Sequence, residues 1–398
     1  MARERRLRLH LSCRPTGSMW SLPRASRNVI SSPFIASYLV QHKLIEPGSV
    51  VAGLLEIAPL PGRNYNYLVR DRTRGLILKQ GIWLEENRKA FQVERSFYRE
   101  IAPLLRSELQ AQIPRALLID DQEEALAVEF VPDSVTMFQA LQAFPTQAAT
   151  VGRRLGEFLG RLHDATAALE SCKAGLSHDA PWALKLHRPG AASFRLVSPG
   201  SYRCLKALQR HGELCAGMQR LHDDWRAECV IHGDIKSDNL LFSVASHGAT
   251  RALDRLSVVD WELCQIGDPA WDLAGFLQGI LLYWIFSFPI VAAPSLDRLA
   301  PLASVPLITQ RAGVIEFMRA YADARGTASS REAFERAFAL SGARLVQFAV
   351  EYAQHQHEQH ALQHCEMALQ VAQRAICIPG WARHALLEAT ATASMRVQ

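Results

Sequence analysis

The sequence predicts an α+β protein of two lobes, a small sheet-rich lobe over residues 34–131 and a larger, mainly helical lobe over residues 132–398. Three observations predict it. Several strand-like runs flank one amphipathic helix before Pro132, the makeup of a compact α+β unit. Beyond Pro132 the strand signal falls away and helical periodicity takes over. The 398 residues also exceed what one domain of roughly 100–200 residues holds.

In chain order, the opening stretch carries Arg3, Arg5, Arg6, Arg8, Arg14, Arg24 and Arg27 against the single acid Glu4. Residues 1–33 therefore read as a disordered basic extension. That stretch accounts for the formal net charge of +5, so the folded body is close to neutral. A near-neutral body lacks the basic face that nucleic-acid binding needs. Phe34 to His42 reads as a short helix and Ser49 to Ile57 as a strand, followed by a turn containing Pro59, Pro61 and Gly62. Asn66 to Arg70 and Gly75 to Gln80 read as strands joined by the polar DRTR. Phe91 to Leu105 places Phe91, Val93, Phe97, Ile101, Leu104 and Leu105 at helical spacing, with Pro103 set to kink or end the helix. Ala116 to Ile119 and Ala125 to Val131 complete the small lobe as strands around the acidic turn DDQEE.

In the larger lobe Val151 to Ala168 is an amphipathic helix, and three short apolar runs follow at Cys229 to Ile231, Leu240 to Phe242 and Leu256 to Asp260. Leu273 to Pro294 nearly reaches the length of a bilayer span, but Gln278 and Pro289 interrupt it and no Lys or Arg anchors its upstream side. It reads as a buried core helix, with no membrane partner. Eight scattered cysteines without a CxxC pair read as reduced thiols in a cytoplasmic protein.

The chemistry concentrates in VIHGDIKSDNLLF (Val230 to Phe242) and LSVVDWELCQIGDPAWDL (Leu256 to Leu273). One apolar run delivers His232, Gly233 and Asp234, with Asn239 five residues beyond Asp234; another run delivers Asp260. A carboxylate to accept a hydroxyl proton, plus an amide and a carboxylate to hold magnesium on nucleotide phosphates, is how phosphoryl transfer is arranged.

Here the sequence resembles the aminoglycoside phosphotransferase/choline kinase-like family, relatives of protein kinases. HGDIKSDN matches that family's HGDxxxxN loop, and DWELCQIGDPAWDLA matches its DW…GDPxxDLA segment, in the same order and spacing. The resemblance implies a bilobal protein-kinase-like fold and an ATP-dependent phosphotransferase acting on a hydroxyl of a small molecule. It implies Asp234 as catalytic base, Asn239 and Asp260 as Mg2+ ligands, His232 and Asp272 as buttresses of the loop, and Lys236 as a contact to the transferring phosphate. In the small lobe it implies that Lys79, in the apolar run GLILKQG, holds the ATP phosphates. Glu94 is the expected ion-pair partner, with Glu100 as the alternative. In PLPGRNYNYLV it implies a phosphate-covering turn of Gly62, Asn64 and Asn66; a plain hairpin turn is the competing reading. By position, Glu129 to Val131 is the hinge whose backbone receives adenine.

Two other functions stay open at this stage, a kinase of Ser/Thr in a ribosomally made peptide precursor and a catalytically silent nucleotide-binding scaffold. His355, His357, His360 and His364 form a stripe that either holds a metal or borders the acceptor. The stretch Leu299 to Gln398 is no richer in acids than in arginines, which speaks against a polycationic acceptor.

Overall fold

Burial alternates from Gly75 to Leu78, and Lys79 and Gln80 are buried on opposite faces beyond it, so both faces of this strand organise the small lobe. The computed structural model describes residue 30 and residues 34–60, 64–72, 74–81, 85–168, 175–190, 197–247, 250–292, 294–355 and 359–388. Two short helices, α1 (Ile35–Gln41) and α2 (Pro47–Val51), precede an antiparallel sheet of β1 (Glu56–Leu60), β2 (Tyr65–Arg70), β3 (Gly75–Gln80), β4 (Ala116–Asp120) and β5 (Ala125–Glu129). The strand order is β1-β2-β3-β5-β4. One face of the sheet, through Val69, Leu76, Leu78, Ala125 and Ala127, packs on Ile35 and Leu39 of α1 as a separate small core. The opposite face sends Ile77, Leu126 and Val128 into the main core with Phe91 and Phe97.

Two expected elements differ. The strand expected at Ser49 to Ile57 begins only at Glu56; Pro47 starts a helix instead, and Val51 is 89% exposed. Proline at the first helical position loses no hydrogen bond, which lets this local signal win over the apolar run. The helix expected from Phe91 starts earlier, as α3 (Glu85–Ser96), and then loosens into a π turn at Phe97–Ile101 and a 3-10 turn at Ala102–Leu104. Pro103 has no N–H to continue an α ladder. The extension expected over residues 1–33 lies, apart from residue 30, outside the described residues.

The short helix α4 (Ser107–Gln110) precedes β4 in the small lobe, and the large lobe contributes β6 (Ser134–Thr136), α5 (Met137–Ala143), α6 (Ala148–Ala167), α7 (Pro199–Gln209) and α8 (Gly212–Asp223). Then come β7 (Cys229–Ile231), β8 (Leu240–His247), β9 (Thr250–Val258), β10 (Gln265–Gly267) and α9 (Pro269–Ile285). The chain closes with α10 (Leu296–Leu299), α11 (Arg311–Arg325), α12 (Thr327–His355), α13 (Gln359–Cys377) and α14 (Trp381–Leu387). Every residue of α9 except Tyr283 is buried, so its apolar sequence serves the core. No helix among the described residues is long and apolar enough to cross a membrane. Helices α6 and α11 approach closely because Gly152, Gly156 and Gly160 line the contact; a Cβ on Gly156 would lie 2.4 Å from the Phe317 carbonyl oxygen.

Candidate active site

Lys79 comes from β3 and Glu94 from α3, and the sheet register turns the lysine towards the helix. Lys79 Nζ donates to Glu94 Oε1 at 2.7 Å and Oε2 at 2.9 Å, and to Asp260 Oδ1 at 2.7 Å. Glu94, not Glu100, is therefore the helix partner. Burial pulls the Lys79 ammonium down, but Glu94 and Asp260 outweigh it and hold the group above its ordinary value. Burial raises the Glu94 carboxyl against the pull of Lys79, and the Trp261 backbone N–H donates to it as well.

The large lobe presents its loop from the end of β7. Gly233 takes a left-handed φ of +80°, and a Cβ there would sit 2.2 Å from the Leu263 carbonyl oxygen, so only glycine fits. The Asp272 carboxylate accepts the His232 N–H at 2.7 Å and the Gly233 N–H at 2.9 Å, and lies 3.3 Å from His163 Nε2. His232 Nε2 faces the Val259 carbonyl at 2.9 Å while its Nδ1 faces the Asp234 N–H at 3.2 Å. That pattern is the neutral tautomer protonated on Nε2, in keeping with burial pushing its pKa down.

Asp234 receives its neighbours on defined atoms. Lys236 Nζ lies 2.5 Å from Oδ2, and Asn239 Nδ2 donates to the Asp234 carbonyl at 2.9 Å and to Oδ2 at 3.2 Å. Committing the Asn239 nitrogen this way leaves its Oδ1 as the remaining acceptor. Asp260 follows β9 in the left-handed region, φ +68°, a strained setting for a non-glycine residue. Burial raises the Asp260 carboxyl, but Lys79 outweighs it and holds the pKa below the usual range.

Between the lobes, a cleft of ≈ 300 Å³ is lined by Asn64, Asn66, Lys79, Asp234, Lys236, Asn239 and Asp260. Three acids that the motifs did not single out, Asp238, Glu262 and Glu351, line it too. Asn64 and Asn66 each keep a buried Oδ1 without a protein partner. Gly62 lies outside the described residues.

Glu129 and Val131 are not brought to this cleft; they line a separate cavity of ≈ 360 Å³ beside Arg115 and Arg255. The Glu129 N–H is taken by the Arg115 carbonyl at 2.9 Å, and its carboxylate by Arg115 Nε at 2.8 Å. Arg115 holds that carboxyl below its ordinary value. Arg115 thus holds both the Glu129 N–H and its carboxylate, an ion pair that sequence position could not reveal. Of the histidine stripe, the side chains of His355, His357 and His360 fall outside the described residues, while His364 packs edge-on to Phe286 at 4.8 Å. Among the described residues no group of three His, Cys, Asp or Glu converges to hold a metal.

Aromatic packing joins the halves of the site. Phe97, one turn beyond Glu94, stacks on Trp261, the residue after Asp260, and His232 sits 4.6 Å from the same indole. Trp261 stood in the quoted motif, but its partner had no sequence signal beyond helical spacing.

A family model described as "Phosphotransferase enzyme family" matches residues 56–301. Among curated proteins, acyl-CoA dehydrogenase family member 11 of Mus musculus is 34% identical over 74 residues, 19% of this chain and 8% of that protein. The Rattus norvegicus protein of the same name is 32% identical over the same share, so these stretches cover less than a tenth of the curated relatives. Among solved structures, choline kinase from Cryptosporidium parvum Iowa II superposes with a TM-score of 0.56 at 12% identity, covering 89% of this chain and 100% of that one. Choline kinase LicA from Streptococcus pneumoniae gives 0.49 at 14% identity over 84% and 99%. The first superposition shows that the two lobes form the protein-kinase-like fold.

Proposed function

This chain belongs to the phosphotransferase enzyme family, and from that premise we propose that it transfers the γ-phosphate of ATP to a hydroxyl of a small molecule. The observation that carries the reading is convergence: Lys79, Asp234, Asn239 and Asp260 line one cleft although Lys79 and Asp260 are 181 residues apart.

In the transfer, the acceptor oxygen forms a bond to the γ-phosphorus as the bond to the β,γ-bridging oxygen breaks, and ADP departs with that electron pair. Asp234 receives the hydroxyl proton and aligns the nucleophile, which in a loose transition state matters more than complete deprotonation. Lys236, already on Asp234 Oδ2, sits where it meets the transferring phosphoryl oxygens. Lys79 neutralises the nucleotide phosphates, and Glu94 keeps its ammonium aimed at the cleft. Asn64 and Asn66 line the same cleft, where they would face the phosphates.

The donor set fits magnesium. Asn239 Oδ1 and the Asp260 carboxylate are two hard oxygen ligands, the number a phosphate-bound Mg2+ takes from protein. Asn239 and Asp260 would hold the ion, which supplies charge neutralisation on the phosphates. The described cysteines are free thiols, which supports a reducing, cytoplasmic setting.

The test is labelled-phosphate transfer from ATP with magnesium across a panel of hydroxylated metabolites, wild type beside Asp234→Ala. Transfer lost in the variant, with ATP binding retained, is the expected result. ATP binding with no turnover on any acceptor or on water would replace this reading with the silent scaffold.

A further inference from the structure

Resting on that reading, we infer that Arg344 of α12 is a positioning residue that fixes Asp234 by gripping the backbone on both sides of it. Arg344 is 2% exposed, deep beneath the catalytic loop. Its NH2 donates to the Ile235 carbonyl at 2.7 Å and its NH1 to the Gly233 carbonyl at 3.3 Å. Those carbonyls flank Asp234, and NH2 also stands 3.8 Å from Asp234 Oδ1. The guanidinium plane lies over the Trp271 ring, 4.9 Å from its centroid, and Trp271 Nε1 donates to the same Gly233 carbonyl at 2.9 Å.

Gln278 completes the arrangement. It is the amide that interrupts the otherwise apolar α9, and it exchanges two bonds with Arg344. Arg344 Nε donates to Gln278 Oε1 at 3.3 Å, and Gln278 Nε2 donates to the Arg344 carbonyl at 3.2 Å. The pair ties α9 to α12 and orients the guanidinium fork.

A structural filler has no need of this charge. Burial lowers the Arg344 pKa, with Asp234, Asp272 and Glu351 opposing, and its ion-pair contact among the described residues is to Asp234 at 3.8 Å. A buried ion loses its hydration, a cost offset here by the bonds to the Gly233 and Ile235 carbonyls and to Gln278. What an apolar side chain cannot do is hold two carbonyls at a fixed separation with a rigid planar fork. The bonds from NH1 and NH2 end on the loop that carries the proposed base.

The same helix reaches the acceptor side. Glu351, seven residues on and so on the same face, lines the cleft with Asp234 and Lys236.

The test compares Arg344→Met and Arg344→Lys with wild type in the full chain. Three readouts are taken: thermal stability, affinity for ATP with Mg2+, and phosphate release from ATP with water as acceptor. Arg344→Met is expected to melt several degrees below wild type, because the Ile235 carbonyl and Gln278 Oε1 lose their donor, and to bind ATP with Mg2+ unchanged. Its phosphate release falls about 100-fold, the cost of misplacing a reacting group by an ångström. Arg344→Lys, with one donor group and no fork, falls between the two. Should Arg344→Met unfold, Gln278→Leu removes the orienting amide and gives the same split at smaller amplitude. Turnover within about threefold of wild type in a folded Arg344→Met, or a loss matched by weaker nucleotide binding, overturns the inference. If wild type turns over neither on water nor on any acceptor of the panel, the kinase reading has failed. Amide hydrogen exchange over residues 232–237 then decides the positioning role alone: faster exchange confined to that loop in Arg344→Met supports it, and unchanged exchange overturns it.

Discussion

Lys79 Nζ, carried by the small lobe, donates to Asp260 Oδ1 of the large lobe at 2.7 Å. Glu94 takes the other two donors of the ammonium. Glu94 is almost fully buried, whereas the Asp260 side chain is 32% exposed; on the proposed reading an incoming phosphate would displace the Asp260 contact and leave the Glu94 pair intact. Lys79→Met is expected to lower kcat/KM for ATP by about 10²–10³. Glu94→Gln, which keeps the lysine but loosens its aim, raises KM for ATP by about tenfold. Steady-state kinetics on both variants check this, and a Lys79→Met enzyme with unaltered kcat/KM would remove Lys79 from the mechanism.

Phe97 and Trp261 stack face to face, centroids 3.9 Å apart and planes 5° apart. Phe97 follows Glu94 by one turn and Trp261 follows Asp260, so the stack locks the two ends of the Lys79 ion network. Trp261→Ala is expected to cost about 3–5 kcal/mol, as a large buried aromatic does, and to weaken ATP binding as well. Denaturant unfolding with and without ATP measures both. Trp261→Phe keeps a stacking ring and should recover most of the loss; equal effects from the two variants would count against the stack.

Helix α6 meets α11 through glycines with no room for a side chain. A Cβ on Gly156 would fall 2.4 Å from the Phe317 carbonyl oxygen, inside contact distance of backbone that cannot rotate away. Gly156→Ala should therefore destabilise by about 1–3 kcal/mol or more, despite alanine's better helix propensity. Gly212→Ala, where nothing lies within 4 Å, is the control and should be neutral or stabilising. A stable Gly156→Ala would show that the two helices slide apart freely.

His163 is fully buried between Tyr321, 3.1 Å from Nδ1, and Asp272, 3.3 Å from Nε2, with Arg325 and Glu228 as its further charged neighbours. Burial pushes its pKa down, only partly opposed by Asp272. The unfolded chain then binds the proton more readily than the folded one, so stability is fully present above the unfolded value of about 6.5. It is lost as the pH falls from there through the depressed folded value. Urea midpoints from pH 7.5 to 5.5 should fall with pH. His163→Gln, which cannot titrate, should flatten that slope; an unchanged slope would assign the acid sensitivity elsewhere.

The loop residues were legible because they sit within one short stretch: His232, Asp234, Lys236 and Asn239 fall inside HGDIKSDN. Lys79 was legible from the family resemblance together with its place at the end of an apolar strand, and Glu94 from its place near the first third of the helix expected from Phe91. The helix at Pro47–Val51 was missed because the apolar run Val50, Val51, Leu54, Leu55 imitates a strand, while its exposure depends on neighbours far along the chain. Glu129 was placed by position alone, which could not show the ion pair its carboxylate makes with Arg115, fourteen residues earlier. Arg344 carried no local signal, since an arginine in a helix reads as a solvated charge until the helix is packed.

By itself the sequence determined which donors and acceptors this protein possesses, and which short segments present them at the ends of strands and in one loop. Only the tertiary structure decided which of them meet. Hydrogen bonds and ion pairs act within about 3 Å, and over 181 residues that distance is set by how α3, α9 and α12 pack on the sheets, not by any local preference of the chain.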